Sequence, residues 1–197
     1  MVSNYVPLDV IYKYHNHRQG EEYNNYLESM ADYIFDSSKK KEFIGAKAVT
    51  FQVTEACNLK CSYCYQICKS AQKLKIEDAK KFIDLLLTDD KSKNNYLNKD
   101  NTNAIIIDFI GGEPFLEVDL IDQILDYFFK RCIELNHPWM YNFMVSVGTN
   151  GTLYFTEKVQ KFLKKYEGRV SLAITVDGNK TLHDSCRVFH DGKGSYD

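Results

Sequence analysis

Three cysteines on one short segment are the side chains best suited to chemistry in this 197-residue chain. Cys57, Cys61 and Cys64 are spaced four and then three residues apart, so a single loop can present three thiolates to one metal group. Thiolates favour zinc or iron–sulfur clusters, and a [4Fe–4S] cluster normally takes four cysteine ligands. Three ligands leave one iron open to a substrate or cofactor. The spacing therefore predicts a [4Fe–4S] cluster with a reactive iron.

The other cysteines leave a zinc site as an alternative. Cys68 could complete a set of four thiolates, which zinc prefers in closed structural sites, although zinc loops usually supply their ligands as two separated pairs. We expect Cys68, Cys132 and Cys186 to be ordinary small or buried residues. Disulfides are disfavoured, because four of the six cysteines are tightly grouped and a reducing compartment is expected.

The cysteine loop lies within an alternating pattern of strands and helices. Four short apolar runs are rich in β-branched residues, which predicts strands at 48–54, 104–110, 141–147 and 170–176. Apolar residues recur at helical spacing between them, which predicts helices at 74–87, 118–135 and 156–166. Strands that alternate with helices pair in parallel, so we expect an α/β fold built from βα units.

Glycine and polar motifs follow the predicted strands. Gly111-Gly-Glu-Pro114 follows the second strand, Thr149-Asn-Gly151 the third, and Asp177-Gly178 the fourth, with Arg187 beyond it. Together with the cysteine loop, in which an aromatic residue precedes the third cysteine, these motifs resemble the signature of the radical S-adenosylmethionine (radical SAM) superfamily. The resemblance covers about residues 46–197. It implies a partial (β/α) barrel of the radical SAM type, with about four βα units of the usual six.

The resemblance also implies which residues contact S-adenosylmethionine. The turn at Gly111, Gly112 and Glu113 would bring backbone carbonyls close to the ammonium group of the cofactor. In the branch that includes anaerobic sulfatase-maturating enzymes, a hydroxyl residue and an arginine contact its methionine moiety, and Thr175 and Arg187 stand at those places. A guanidinium can pair with a carboxylate through two hydrogen bonds. Thr175 replaces the serine that is familiar in that branch.

Four further residues complete the candidate site. Tyr63 is the aromatic residue of the cysteine motif, and the resemblance places it among the cofactor contacts. Asn150 is a candidate for a ribose hydroxyl, although an Asn-Gly pair is equally typical of a plain turn. Asp177 is the one candidate catalytic residue and is expected on the substrate side. His183 is predicted to be a structural capping or turn residue.

The predicted barrel is incomplete, which bears on domain organisation. Residues 46–197 form the predicted core, and residues 1–45 form a small extension with a short strand at 5–12 and an amphipathic helix at 20–38. The related maturases usually append a cysteine-rich SPASM domain, which has no counterpart here. We therefore expect an N-terminal portion of a longer enzyme or a truncated gene product. Its fourth strand would present an unpaired edge.

The resemblance implies an enzyme that cleaves S-adenosylmethionine to a 5′-deoxyadenosyl radical and modifies a peptide or protein, most simply in the maturation of a ribosomally made peptide. Its partners would be that substrate and an external one-electron reductant of the flavodoxin or ferredoxin type. Two alternatives remain, namely a catalytically inert cluster-binding fragment and a zinc-stabilised interaction module. A zinc module would be colourless and would not bind S-adenosylmethionine.

Composition excludes other classes of partner. The chain has 25 Lys and Arg residues against 27 Asp and Glu residues, with a formal net charge of −2 and no long block of either sign, so we expect no nucleic-acid partner. No apolar run approaches the roughly 18 residues that a membrane span requires, and we expect no membrane partner. The N-terminus lacks the basic start and apolar centre of a signal peptide. The sequence therefore predicts a cytoplasmic protein.

Overall fold

The computed structural model describes residues 46–90, 92–94, 97–99, 102 and 104–197. It contains four strands, β1 (Lys47–Thr54), β2 (Ile105–Gly111), β3 (Phe143–Thr149) and β4 (Val170–Ile174). The α-helices are α1 (Ile76–Leu86), α2 (Val118–Glu134), α3 (Glu157–Lys165) and α4 (Lys180–Cys186). Short 3₁₀ turns at Pro114–Glu117 and Pro138–Met140 precede α2 and β3. The predicted extension at residues 1–45 lies outside the described residues.

The strands form one parallel sheet in the order β1-β2-β3-β4. Each step between neighbouring strands passes through a helix, and such crossovers are right-handed, so α1, α2 and α3 cover the same face. This confirms the predicted α/β class and the four βα units. Helices on one face of a parallel sheet are typical of a (β/α) barrel, whereas a doubly wound sheet carries helices on both faces.

The helix-covered face of the sheet holds the core. Val49, Ile107 and Val145 share one register row, and Phe51, Phe109 and Val147 share another. All six side chains are buried, together with apolar residues of α1 and α2 such as Ile83 and Ile121. Burial of a side chain of this size contributes about 1.5–3 kcal/mol. The two buried rows thus fix which way β1, β2 and β3 face.

The opposite face of the sheet is polar at the next register row. Thr50, Asp108, Ser146 and Ser171 pair across all four strands in that row, and none of them is buried. Among the described residues, β4 pairs with β3 alone, in agreement with the predicted open edge. No described helix has the length and apolar character needed to cross a membrane.

Strand and helix limits differ from the prediction by a few residues. β4 ends at Ile174, so Thr175 and Val176 lie beyond the strand. β3 begins two residues later than predicted, because the Pro138–Met140 turn takes up the preceding residues. α4 was not among the predicted helices, and the Asn179 side chain caps it by accepting a hydrogen bond from Leu182 N at 3.1 Å.

Candidate active site

The cysteine loop begins at the carboxyl end of β1, where the pairing with β2 shifts register between Gln52 and Thr54. Cys57, Cys61 and Cys64 are all partly exposed. Leu59, between the first two, is buried and anchors the loop to the protein. The loop therefore keeps its apolar residue inside while its thiols stay accessible to a metal group.

A segment from the C-terminal part of the chain binds this loop through its backbone. Lys60 N donates to Val188 O at 2.7 Å, and Ser62 N donates to Cys186 O at 2.9 Å. Leu59 forms an antiparallel bridge with Phe189. Residues 186–189, which we call the clamp segment, thus hold the cysteine loop through backbone pairing. Nothing in the local sequence of either segment indicates this pairing.

The double glycine after β2 also binds the start of the cysteine loop through backbone hydrogen bonds. Gly112 N donates to Thr54 O, and Glu113 N donates to Ala56 O, both at 2.9 Å. A Cβ atom on Gly112 would lie 2.3 Å from Ala56 O, and one on Gly111 would lie 2.6 Å from Thr54 O. The glycines are therefore required for close approach of two backbones. Their predicted contact with S-adenosylmethionine stays a prediction.

Glu113 points into the protein. Its side chain is 0% exposed, and its carboxylate accepts hydrogen bonds from Thr149 Oγ1 at 2.7 Å, Asn150 N at 2.8 Å and Phe115 N at 3.0 Å. Burial raises the pKa of Glu113, and the three donors partly oppose that rise. The carboxylate joins the ends of β2 and β3. Glu113 was predicted to contact the cofactor; its side chain is buried, and the contact stays a prediction.

Asn150 links the end of β3 to the cysteine loop. Its Nδ2 donates to Asn58 Oδ1 at 2.8 Å and lies 3.9 Å from Cys57 Sγ. Its Oδ1 accepts from the backbone and the hydroxyl of Thr152, and that hydroxyl accepts from Asn58 Nδ2 at 2.7 Å. The sequence offered no signal for Asn58 or Thr152. The predicted ribose contact of Asn150 stays a prediction.

Arg187, Tyr63 and Asp177 form a hydrogen-bonded chain beside the thiols. Arg187 Nη1 donates to the Tyr63 hydroxyl at 2.7 Å, and that hydroxyl donates to Asp177 Oδ2. Burial and the bond to Asp177 raise the pKa of Tyr63, so the phenol keeps its proton and can donate. Arg187 is 8% exposed, and its buried Nε has no hydrogen-bond partner. A buried donor without a partner fits a ligand that supplies an acceptor.

The remaining predicted residues take no part in the hydrogen bonds that link Arg187, Tyr63 and Asp177. Thr175 is exposed just beyond β4, and Cys68 is exposed beyond the third thiol of the cysteine loop. Cys132 is fully buried in α2, where burial raises its pKa to about 12. Within the described part of the chain, no three His, Cys, Asp or Glu side chains lie close enough to share one metal ion.

The donor set fits the two groups that the motifs imply. Three accessible thiols suit a cluster that takes three cysteines, and a buried guanidinium with an unpartnered Nε suits the carboxylate of an amino acid. Residues 44–190 match the model of a family described as a 4Fe-4S single cluster domain. The chain belongs to this family. A [4Fe–4S] cluster, and not the zinc alternative, is therefore its metal group.

Comparison with curated proteins places this single-cluster domain among radical SAM proteins. It is 30% identical to the antilisterial bacteriocin subtilosin biosynthesis protein AlbA of Bacillus subtilis (strain 168), covering 81% of this chain and 30% of that protein. It is 34% identical to the cysteine-type anaerobic sulfatase-maturating enzyme of Clostridium novyi (strain NT), covering 71% of this chain and 34% of that protein. The chain thus spans about a third of the length of these relatives.

A solved structure confirms the fold. Native anSMEcpe with bound AdoMet superposes on the single-cluster domain with a TM-score of 0.59 at 22% identity, over 77% of this chain and 38% of that one. The predicted radical SAM barrel, present in part, is therefore confirmed. The family match confirms the predicted [4Fe–4S] cluster, and the anSMEcpe structure holds AdoMet, the second cofactor that the motifs imply.

Proposed function

We propose that this domain is the cofactor-cleaving part of a radical SAM peptide or protein maturase. One observation carries the proposal: the three thiols lie on a loop that ends next to Tyr63 and the buried Arg187, whose Nε has no partner. This arrangement would bring a metal group and a hydrogen-bond donor for an amino-acid carboxylate together at the same strand ends. Parallel βα folds place their chemistry at that edge.

The protein residues would act by binding and orientation. Cys57, Cys61 and Cys64 would hold the cluster, which supplies one-electron chemistry to the sulfonium bond of S-adenosylmethionine. Arg187 would fix the cofactor carboxylate, and Thr175, just beyond the end of β4, would add a hydroxyl contact. The 5′-deoxyadenosyl radical would then take a hydrogen atom from the substrate, while the protein excludes competing reactions.

The substrate class is inferred from the relatives. AlbA is named for the biosynthesis of a bacteriocin, and the Clostridium novyi enzyme is named for the maturation of sulfatases. We infer a peptide or protein substrate, and a ribosomally made peptide in the simplest case. The reaction needs one electron per cleavage, so a flavodoxin or ferredoxin type of donor is the natural partner. Both that donor and reduced thiols favour the cytoplasm.

The test is anaerobic reconstitution of this chain with iron and sulfide, followed by reduction and incubation with S-adenosylmethionine. We expect a brown protein with about four irons that binds the cofactor and forms 5′-deoxyadenosine. A variant with alanine at Cys57, Cys61 and Cys64 should lose the iron, whereas the matched Cys68→Ala control should keep it. Full iron content in the triple variant would falsify the proposal.

The same experiment separates the inert-fragment alternative. A chain that carries the cluster and binds S-adenosylmethionine, but forms no 5′-deoxyadenosine, would be a cluster-binding fragment whose activity needs further βα units. Mass in solution, measured alongside, reports whether the open edge of β4 leads to self-association.

A further inference from the structure

Five residues around the candidate site close a ring of hydrogen bonds. Arg187 donates to Tyr63 OH at 2.7 Å, and Tyr63 OH donates to Asp177. The backbone N–H of Asp177 donates to His183 Nδ1 at 3.2 Å. His183 Nε2 lies 3.1 Å from Ser195 Oγ, which donates to the backbone oxygen of Arg187 at 2.9 Å. The ring thus begins and ends on Arg187.

The direction of each hydrogen bond is consistent around the ring. Because a backbone N–H can only donate, His183 Nδ1 must accept, and a neutral imidazole then carries its proton on Nε2. That proton is donated to Ser195 Oγ, which leaves the serine hydroxyl proton for Arg187 O. His183 is buried, so it does not exchange these bonds for water. The ring therefore has one defined arrangement of protons.

The ring also explains how an exposed side chain is held in place. Tyr63 is 54% exposed, and its hydroxyl is held between Arg187 and Asp177. Asp177 is fixed in turn by the bond from its own backbone to His183, just before Gly178, whose φ of 78° is the left-handed region that favours glycine. Tyr63 then directs Nη1 of Arg187, which leaves the buried Nε for a ligand.

We propose that Asp177, His183 and Ser195 are positioning residues that set Tyr63 and Arg187 for the carboxylate of S-adenosylmethionine. The inference rests on the proposed function, and it gives His183 and Ser195 a role in cofactor affinity. Asp177 acts here through Tyr63. The residues from Asp177 to Ser195 then act together, because each hydrogen bond of the ring positions the next group.

The test measures S-adenosylmethionine affinity by calorimetry and iron content on the same anaerobic samples. Tyr63→Phe removes a single oxygen atom and both of its bonds, so we expect about fivefold to tenfold weaker binding with unchanged iron. His183→Leu removes the acceptor for Asp177 N and should weaken binding to a similar extent. His183→Asn keeps an acceptor near the position of Nδ1 and should recover most of the affinity, which a purely bulk-packing role would not predict.

The outcomes separate the two proposals. If the unmodified chain carries its cluster and does not bind S-adenosylmethionine, the proposed function fails. If it binds the cofactor and both Tyr63→Phe and His183→Leu bind equally well, the positioning role alone is overturned. Should His183→Leu fail to fold, Tyr63→Phe with Asp177→Asn decides: the amide oxygen of asparagine still accepts from Tyr63, so affinity should fall in the first variant and largely persist in the second.

Discussion

The hydroxyl of Thr149 donates a hydrogen bond of 2.7 Å to Glu113 Oε1 and accepts one of 3.0 Å from Gly151 N. Glu113 accepts from Asn150 N through its other oxygen. These bonds join the turn after β2 to the turn after β3, and both turns contact the cysteine loop. The buried Glu113 carboxylate therefore links the Gly111-Gly-Glu-Pro114 motif to the Thr149-Asn-Gly151 motif.

Replacement of Glu113 by glutamine tests this connection. Three donors point at the carboxylate, so an amide would place its own N–H groups against at least one of them. An unsatisfied buried donor costs about 1–3 kcal/mol, and we expect Glu113→Gln to lower the free energy of unfolding in urea by that amount. Glu117→Gln is the matched control, because Glu117 makes an ion pair with the exposed Lys73 at the surface and should change stability by less than about 1 kcal/mol.

The pH dependence of stability provides a second test of Glu113. Burial raises the pKa of this carboxyl in the folded chain, so the folded state holds the proton more tightly than the unfolded state does. The free energy of unfolding should then fall as pH rises from the ordinary range of a glutamate to its folded pKa, and stay level above it. Subtracting the pH profile of the free energy of unfolding of Glu113→Gln isolates the contribution of Glu113. A difference profile that rises with pH over that window would contradict it.

Local sequence was sufficient for the order of the strands, and the prediction that Cys57, Cys61 and Cys64 hold the cluster also rests on local sequence. Apolar runs and helical spacing predict β1 to β4 and α1 to α3 because burial of one face decides them, and three thiols on one loop need no distant partner. The clamp segment and the bond from Arg187 to Tyr63 are different, since the latter joins residues 124 positions apart. Periodicity in the sequence does not predict such a pairing. It also does not predict that the Glu113 side chain points into the protein.

The close approach of two backbones at Gly112 predicts that alanine is far more disruptive there than at Gly148. A methyl group on Gly112 would meet Ala56 O at 2.3 Å, which forces the cysteine loop away from β2. Overpacking of this kind costs about 1–3 kcal/mol, and occasionally more, so Gly112→Ala should lower the urea midpoint and the iron content together. Gly148→Ala is the control, because the nearest atom to its Cβ, Ile110 Cγ2, is 4.0 Å away. Equal iron content in both variants would show that the approach is dispensable.

Asn150 and Asn58 allow a structural role to be separated from a ribose contact. Asn58→Ala removes both bonds that this side chain makes to Asn150 and Thr152, and each net bond is worth about 0.5–1.5 kcal/mol. We expect Asn58→Ala to lower the free energy of unfolding by about 1 kcal/mol while the affinity for S-adenosylmethionine changes less than twofold. Asn150→Ala loses the bond to Asn58 and both bonds from Thr152, and a ribose contact would add roughly a fivefold loss of affinity measured by calorimetry. If the two variants lose affinity equally, the Asn150 side chain serves only to stabilise the turn and hold the cysteine loop, and it makes no ribose contact.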